Sequence, residues 1–298
     1  MKTLKCLILR NVRLFFKDKA MFFTSLITPL ILLVLYMTFL GNVFRDSLLS
    51  GLPAGVVLSN ELVNGYVGGQ LISSILAVSC VTVSFCSNML MVQDKANGTL
   101  KDLSVSPVRP SILSLSYYFA TLISSLIVCL SATAVCFVYV ASVGWFLSVA
   151  DVLLLLLDVF LLVMFGTALS SVIHFFLSTQ GQISAVGSVV SSGYGFLCGA
   201  YMPLSQFSIG LQRVLHFLPG TYGTVLVRNH AMRGVFGEMR RVGVSEEVTE
   251  MLGDVIDCNL YFFSTRVSLG SMYLVLIVSI AALIGVYVLL NILCARKA

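Results

Sequence analysis

Residues 62–93 read LVNGYVGGQLISSILAVSCVTVSFCSNMLMVQ, and residues 94–107 continue DKANGTLKDLSVSP. The first stretch has no charged side chain, and an apolar run of roughly 20 residues is long enough to cross a bilayer as a helix. The polar segment behind it is short, and a second apolar run starts at Pro110. The pattern predicts two membrane-spanning helices joined by a brief polar connection.

The composition of the whole chain agrees with this prediction. Hydrophobic residues make up 58% of the 298 residues and charged residues only 10%, and the mean hydropathy is +1.00. Too few polar side chains remain to cover the surface of a water-soluble domain. We therefore expect an integral membrane protein.

Apolar runs along the rest of the chain predict an all-α, polytopic fold. The run 110–150 is too long for one helix, and Gly144 and Trp145 mark a turn within it, because Trp favours the membrane interface. Residues 182–201 are rich in Ser and Gly but carry no charge. Six transmembrane helices are predicted, at residues 20–44, 65–92, 111–140, 149–176, 182–201 and 267–294.

The basic residues predict the orientation of these helices. Lys and Arg are concentrated in residues 1–19, in residues 93–110 and at the C-terminus, and basic residues in short loops stay on the cytoplasmic side. Both termini are therefore expected in the cytoplasm. The apolar residues of 1–19 recur near helical spacing, which predicts an interfacial amphipathic helix; the alternative is a disordered basic leader. The first apolar run is too long for a cleaved signal peptide.

Catalytic and metal-binding signatures are absent from the sequence. The eight cysteines show no spacing typical of metal ligands, and the three histidines are scattered. No phosphate-binding loop of the G-x-x-x-x-G-K-[ST] type occurs, nor does G-x-S-x-G or H-E-x-x-H. We expect no catalytic residue, no metal and no cofactor on this chain, so any nucleotide would be bound by another chain.

Several features together resemble the ABC-2 type permeases, the membrane subunits of bacterial ATP-driven exporters. The most specific is the connection Gly98-Thr99-Leu100-x-x-Leu103-x-x-Ser106-Pro107; the others are the six spans, the basic leader, and Pro203 and Leu218-Pro219 behind the fifth span. The resemblance covers essentially the whole chain and is nearest to the drug-resistance subgroup. It implies a multi-pass protein of the bacterial plasma membrane. It also implies two cytosolic ATPase subunits that hold ATP and Mg²⁺, a second permease subunit, identical or different, and contact with membrane lipid but not nucleic acid.

In that family the connection is a short coupling helix that docks in a cleft of the ATPase subunit, and the resemblance places it at 93–107. Leu100 and Leu103, three residues apart, would form a small apolar ridge inside a polar rim. The family usually has acidic residues where this chain has Ala96 and Lys101. The alternative is a plain connecting loop. The residues assigned to ATPase coupling are Asp94, Gly98, Thr99, Leu100, Leu103, Ser106 and Pro107.

The fifth span carries a stripe of small residues, Gly187, Ser191, Gly195 and Gly199, at intervals of four. Such stripes let helices pack closely in lipid. Since the family dimerises around its first and fifth spans, the stripe is predicted at the subunit interface; the alternative is packing within one subunit. The path for the transported molecule is predicted along the second and fifth spans. The residues assigned to that path are Phe85, Met89, Phe196, Leu197 and Asp158.

Residues 202–228 are apolar but interrupted by Pro and Gly. Irregular backbone at membrane depth needs cover from protein or a water-filled cavity, which predicts a re-entrant helical hairpin rather than a seventh span. Pro203, Arg213 and Pro219 are assigned to this region. Residues 229–266 are polar and are predicted to be an outer loop with a short surface helix near Glu246.

Asp158 lies inside the fourth span, where a charge at the bilayer centre costs about 2.5–3.5 kcal/mol on insertion scales. It therefore requires water, a partner or a proton. It would serve either as a contact for a cationic substrate or a proton, or as a structural partner of Arg213.

The chain is expected to move hydrophobic or amphipathic cargo, such as a drug, a lipid-like molecule or a peptide, because few polar side chains lie on the predicted path. A lipid-linked polysaccharide fits that path less well. Two other classes remain. An ion-coupled secondary transporter would show internal repeats and more charge inside the spans, and a membrane-embedded enzyme would need a catalytic pair at one depth.

Overall fold

The structure is a computed structural model that describes residues 2–52, 57–105, 108–263 and 265–295. Within these ranges the regular secondary structure is helical apart from one short β-hairpin. The elements are α1 (Lys2–Lys17), α2 (Lys19–Leu35), a π-helical segment (Tyr36–Leu40), α3 (Gly41–Gly51), α4 (Asn60–Ala96), α5 (Thr99–Val105), α6 (Pro110–Val143), α7 (Val149–Phe175), α8 (Gln180–Leu197), a 3₁₀ turn (Leu204–Gln206), α9 (Ile209–Leu215), α10 (Pro219–Arg241), α11 (Glu246–Val255), β1 (Tyr261–Phe262), β2 (Thr265–Arg266) and α12 (Leu269–Ala295). The all-α prediction is confirmed.

In the part of the chain that the structure describes, five helical segments are long and apolar enough to cross a membrane. They are the continuous segment from α2 to α3, and α4, α6, α7 and α12. The predicted fifth span corresponds to α8, which has 18 residues and would be about 27 Å long. Its Gln, Ser and Gly residues keep its hydropathy below that of the other five, so the sixth span remains a prediction.

Helix α4 is the centre of the bundle and packs against α2, α6, α7, α8 and α10. Serine and threonine replace bulky residues along much of α4, which lets neighbouring helices approach closely. Their hydroxyls bond back to carbonyls of the same helix, for example Ser79 to Ile75 at 2.5 Å and Thr82 to Val78 at 3.0 Å. The buried polar atoms of these two side chains therefore do not require water.

Two ends of the bundle can be distinguished. The end that carries α1, α5 and the C-termini of α7 and α12 is called the α5 end, and the end that carries α11 and the β-hairpin is called the α11 end. Ser114 near the start of α6 bonds Asn291 near the end of α12. Large apolar side chains such as Phe23, Val135 and Leu274 are exposed between the two ends, as expected for surfaces that face lipid.

The leader is a helix, and the region behind the fifth span contains a longer helix than the sequence predicted. Residues 2–17 are helical and pack against α6, so the alternative of a disordered leader is wrong. Residue 228 is not a boundary, because α10 begins at Pro219 and continues to Arg241. Pro219 occupies the first turn of α10, where its missing N–H is not needed and its fixed φ favours the helix. The segment predicted as an outer loop therefore consists of the second half of α10, α11 and the hairpin.

Candidate functional site

A large groove lies between the first helical segment and α8. It has a volume of about 840 Å³ near the α11 end, and a second cavity of about 460 Å³ continues it toward the α5 end. Ile27, Thr28, Ser188 and Ser191 line both cavities. These two cavities, called the α2–α8 groove, therefore form one path along the bundle.

The walls of this groove are apolar with a few hydroxyls. Near the α11 end, Leu35 and Phe39 of the first segment face Phe196 and Tyr201. The other end is more polar, with Asp18, Gln93 and Gln180 on its rim. A molecule with a long apolar part and a small polar part would fit such walls.

The structure brings only some of the predicted path residues to this groove. Phe196 lines the larger cavity and Met89 the smaller one. Phe85 is buried, with its ring 5.5 Å from that of His174. Leu197 lines a separate cavity of about 400 Å³. Asp158 is enclosed elsewhere in the bundle, so these five residues do not share one cavity.

The four residues of the small-residue stripe also lie in different surroundings. A side chain at Gly187 would meet the terminal methyl of Met89 at 2.6 Å, and one at Gly195 would meet the ring of Tyr201 at 2.4 Å. Gly199 lies beyond α8, in a turn with φ of +73°. Ser191 lines the α2–α8 groove. Gly187 and Gly195 therefore face their own chain, and a role for the stripe between two subunits stays a prediction.

Helix α5 lies where the coupling helix was predicted, after a left-handed turn at Gly98 with φ of +79°. Leu100 and Leu103 are half-buried and pack with a cluster of Met91, Leu113 and Tyr117. Val105 is 88% exposed. The ridge predicted for docking thus faces the bundle, and Val105 and Asp102 are on the free side of α5. Ser106 and Pro107, also assigned to coupling, lie outside the described residues.

Asp94 was predicted in the polar rim of the docking surface, but it is only 7% exposed. Its Oδ2 accepts a hydrogen bond from Arg10 of α1 at 2.9 Å and another from the Tyr117 hydroxyl of α6 at 2.6 Å. Hydrogen bonds to ionised groups are roughly twice as strong as neutral ones. Asp94 therefore ties α1 and α6 to the end of α4 instead of meeting a partner.

The next residue, Lys95, contacts a different helix. Its Nζ donates to the carbonyls of Phe175 at 2.8 Å, Leu177 at 3.3 Å and His174 at 3.4 Å. The last carbonyls of a helix lack partners within the helix, and the dipole of the helix favours a cation there. Lys95 thus caps the C-terminus of α7.

A buried polar cluster lies inside the bundle around Asp158, which is 1% exposed. His230 Nδ1 of α10 is 2.6 Å from its Oδ2, and the Tyr273 hydroxyl of α12 donates to its Oδ1 at 2.6 Å. The predicted pairing with Arg213 is wrong, because the guanidinium of Arg213 lies over the ring of Phe263 at 5.6 Å. The structure thus gives Asp158 partners within the fold, in α10 and α12.

Asp151, in the first turn of α7, has a capping role. Its backbone N–H donates to the Ser148 hydroxyl at 3.2 Å, and its carboxylate accepts from the Ser148 backbone at 3.0 Å. This reciprocal pair is a capping box, which satisfies N–H groups at the start of a helix. Arg233 of α10 lies 3.6 Å from the same carboxylate.

The α11 end is held by a fully buried arginine, Arg228. Its guanidinium donates to the carbonyl of Ile256 at 2.8 Å and to that of Gly199 at 2.7 Å, and lies 3.8 Å from Asp257. The backbone N–H of Leu204 also donates to Asp257. Burial raises the pKa of Asp257 above its usual range, although Arg228 opposes that rise. Sequence reasoning missed both Arg228 and His230, because each lies on a helix whose sequence was interpreted as a re-entrant turn and loop.

Side chains of the types that bind metal ions are scattered in the part of the chain that the structure describes. No group of three His, Cys, Asp or Glu side chains in that part of the chain is placed to hold a metal ion. The polar clusters around Asp94, Asp158 and Arg228 join helices to one another. The two cavities of the α2–α8 groove are the largest feature of the described residues with walls suited to an amphipathic molecule.

Comparison with known families identifies the chain. The family of ABC-2 type transporters matches residues 2–231, well over half of the sequence. A search of curated proteins found no match. The matched range includes α2 and α8 of the α2–α8 groove, α5 and the buried Asp158–His230 pair. The chain therefore belongs to the ABC-2 type transporter family, the membrane components of ABC transporters.

Proposed function

We propose that this chain is the permease subunit of a bacterial ABC exporter, located in the plasma membrane with both termini in the cytoplasm. It moves a hydrophobic or amphipathic molecule outward, in the manner of the drug-resistance subgroup. Separate cytosolic ATPase subunits bind ATP and Mg²⁺ and supply the energy. The observation that carries this proposal is the α2–α8 groove, which extends along most of the bundle.

The groove favours amphipathic cargo. Among its described lining residues, the larger cavity has hydroxyls, Gln206 and otherwise apolar side chains. Sugars require many hydrogen bonds from their site, and unpaired polar groups are costly to bury. A drug, a lipid-like molecule or a peptide with a long apolar part therefore fits better than a polysaccharide.

The groove also favours assembly of two permease subunits. It is open along one side, where Ile31 and Phe39 expose more than half of their side chains. A second subunit, identical or related, placed against α2 and α8 would close the groove into a central path. This arrangement keeps the dimer interface predicted for the first and fifth spans, although Gly187 and Gly195 contact their own chain.

Energy would enter at the α5 end. An ATPase that closes on ATP pushes α5, and α5 is packed on the cluster that contains Tyr117. Asp94 and Lys95 connect the adjoining end of α4 to α1, α6 and α7. A displacement of α5 would therefore reach these helices together and switch the bundle between two states, one open to each side.

The docking surface provides a direct test. Val105 is exposed on α5, and an acid there should weaken an apolar contact with the ATPase. We expect the tagged full-length chain to co-purify an ATPase subunit with a nucleotide-binding loop, and Val105→Asp to reduce its recovery at least tenfold. Thermal unfolding of the isolated chain should be unchanged, because the Val105 side chain is almost fully exposed.

Val242→Asp is the matched control. Val242 is an exposed valine at the α11 end, 55% accessible, so the ATPase should still bind. Full recovery of the ATPase with Val105→Asp would refute docking on α5. Leu100→Asp is unsuitable, since Leu100 packs within the fold.

Transport itself is tested with the purified complex in liposomes. A panel of amphipathic compounds should stimulate ATP hydrolysis, and the same panel should leave the ATPase alone unaffected. Transport by the chain without any ATPase, driven by an ion gradient, would instead support the secondary-transporter alternative.

A further inference from the structure

A second groove lies on another side of the bundle, between α6 and α12. It has a volume of about 690 Å³ and starts at the α5 end. Its long wall is formed by apolar side chains, among them Leu115, Phe119, Leu122 and Val288. This α6–α12 groove shares no described lining residue with the α2–α8 groove.

The lining of this groove changes from charged to polar to apolar along its length. Arg109 lies at its mouth, just before the first turn of α6. Ser114 and Asn291 come next and are joined by a hydrogen bond of 2.5 Å. Beyond them the walls become apolar as far as Leu122. The groove thus has a cationic end, a polar neck and an apolar body.

The length of the groove suits one leaflet of a membrane. Arg109 and Leu122 are thirteen residues apart on α6, which corresponds to about 20 Å along the helix. Half of a bilayer core of about 30 Å is about 15 Å. The guanidinium would therefore be at the level of lipid headgroups while the apolar body follows an acyl chain.

A buried hydroxyl provides a second, independent observation. Tyr118 lines the groove and is 8% exposed, yet its hydroxyl has no hydrogen-bond partner among the described residues. Its ring stacks on that of Tyr287 at 6.2 Å. Long side chains on a helix lean toward its N-terminus, here toward Arg109. An acceptor atom from an occupant would satisfy this hydroxyl.

We propose that the α6–α12 groove binds an anionic phospholipid from the leaflet at the α5 end. The phosphate pairs with Arg109, which has no carboxylate partner in the part of the chain that the structure describes. An ester carbonyl accepts from Tyr118, and an acyl chain covers Leu115 and Phe119. The bound lipid fills the space between α6 and α12, which pack on each other less closely than either packs on α7.

Native mass spectrometry of the full-length chain tests this inference. The purified protein is titrated with phosphatidylglycerol and, separately, with phosphatidylcholine of the same acyl chains. We expect phosphatidylglycerol to bind more tightly than phosphatidylcholine. Arg109→Gln should lower the ratio of the two affinities about fivefold. Tyr118→Phe should weaken binding of both lipids. Leu115→Trp, which fills the groove, should abolish the tight binding of phosphatidylglycerol in the α6–α12 groove.

Arg13→Gln is the matched control, since Arg13 is an exposed arginine of α1 at the same end and outside the groove. It should leave the preference for phosphatidylglycerol unchanged. An equal loss with Arg13→Gln and Arg109→Gln would show that only general charge attracts the lipid and would overturn the proposal. Equal affinity of the wild-type protein for both lipids would also overturn it. No ATPase is required, so this result is independent of the exporter proposal.

Discussion

Asp94 and Lys95 are adjacent in the chain and bind different helices. Asp94 pairs with Arg10 of α1 and Tyr117 of α6, whereas Lys95 caps the C-terminus of α7. Neither side chain faces away from the protein as a docking residue would. The two contacts fix the end of α4 directly before α5, so that α5 has a rigid support instead of a flexible tether.

Replacing Asp94 by Ala should therefore destabilise the isolated chain. Arg10 and Tyr117 would lose their shared acceptor, and leaving such buried or half-buried donors unpaired costs about 1–3 kcal/mol. We expect a lower midpoint in thermal unfolding of the purified protein. Asp102→Ala is the control, because Asp102 is an exposed acid on α5 and its removal should not change the midpoint. Equal midpoints for wild-type and Asp94→Ala would contradict the supporting role of Asp94.

A second prediction concerns the buried pair Asp158 and His230. Removing one partner leaves the other as a buried polar group without its hydrogen bond, which costs about 1–3 kcal/mol, so Asp158→Ala and His230→Ala should each lower the unfolding midpoint. The decrease in the free energy of unfolding of the double variant should be smaller than the sum of the decreases in the two single variants, because the residues share one interaction. A strictly additive double variant would show that the contact of 2.6 Å contributes no coupling. Asp158→Asn, which keeps the shape, should be milder than Asp158→Ala.

The helical spans could be predicted from the sequence where apolar runs were long. Residues 111–140 and 149–176 correspond closely to α6 and α7, because a long apolar segment in lipid can satisfy its backbone groups within itself only as a helix. The direction that α5 faces could not be predicted. The spacing of Leu100 and Leu103 is the same whether the two side chains form an exposed docking ridge or pack inside the protein. Only the three-dimensional position of Met91 and Tyr117 shows that they pack inside.

The partners of Asp158 illustrate the second limit. The acid itself was recognised as needing a partner, but His230 is 72 positions away on a helix of mixed charge. The nearby Arg228 and Arg233 carry charges, which are typical of exposed segments, although Arg228 and His230 are buried. Pairing between distant helices depends on their packing, which charge and hydropathy patterns do not specify.

Gly234 provides a prediction about the contact of α10 with the connection between α6 and α7. A Cβ at Gly234 would lie 1.8 Å from the backbone oxygen of Phe146, and backbone cannot move aside as a side chain can. Gly234→Ala should therefore greatly reduce the yield of folded protein or lower the unfolding midpoint by many degrees. Gly237→Ala is the control on the same helix, with no atom within 4 Å of the new Cβ. It should be neutral or stabilising by up to about 1 kcal/mol, because Ala favours helix over Gly.

The final prediction follows from Asp257 at the α11 end. Burial raises the pKa of this carboxyl in the folded protein above its ordinary value of 3.8. Between 3.8 and the raised pKa, the folded state therefore binds more protons than the unfolded state. By linkage, the free energy of unfolding decreases as pH rises through this interval. The stabilising contribution is complete below pH 3.8 and is lost as the pH passes the raised pKa.

Thermal unfolding of the purified chain, followed from pH 4 to pH 7, measures this effect. We expect the midpoint of the wild-type protein to fall relative to that of Asp257→Asn as pH rises, since the amide does not titrate and still accepts from the Leu204 N–H. Glu247→Gln, which removes an exposed carboxyl of α11, should show the same change of unfolding midpoint with pH as the wild-type protein. A wild-type midpoint that rises relative to Asp257→Asn over this range would mean that Arg228 outweighs the cost of burying the charge.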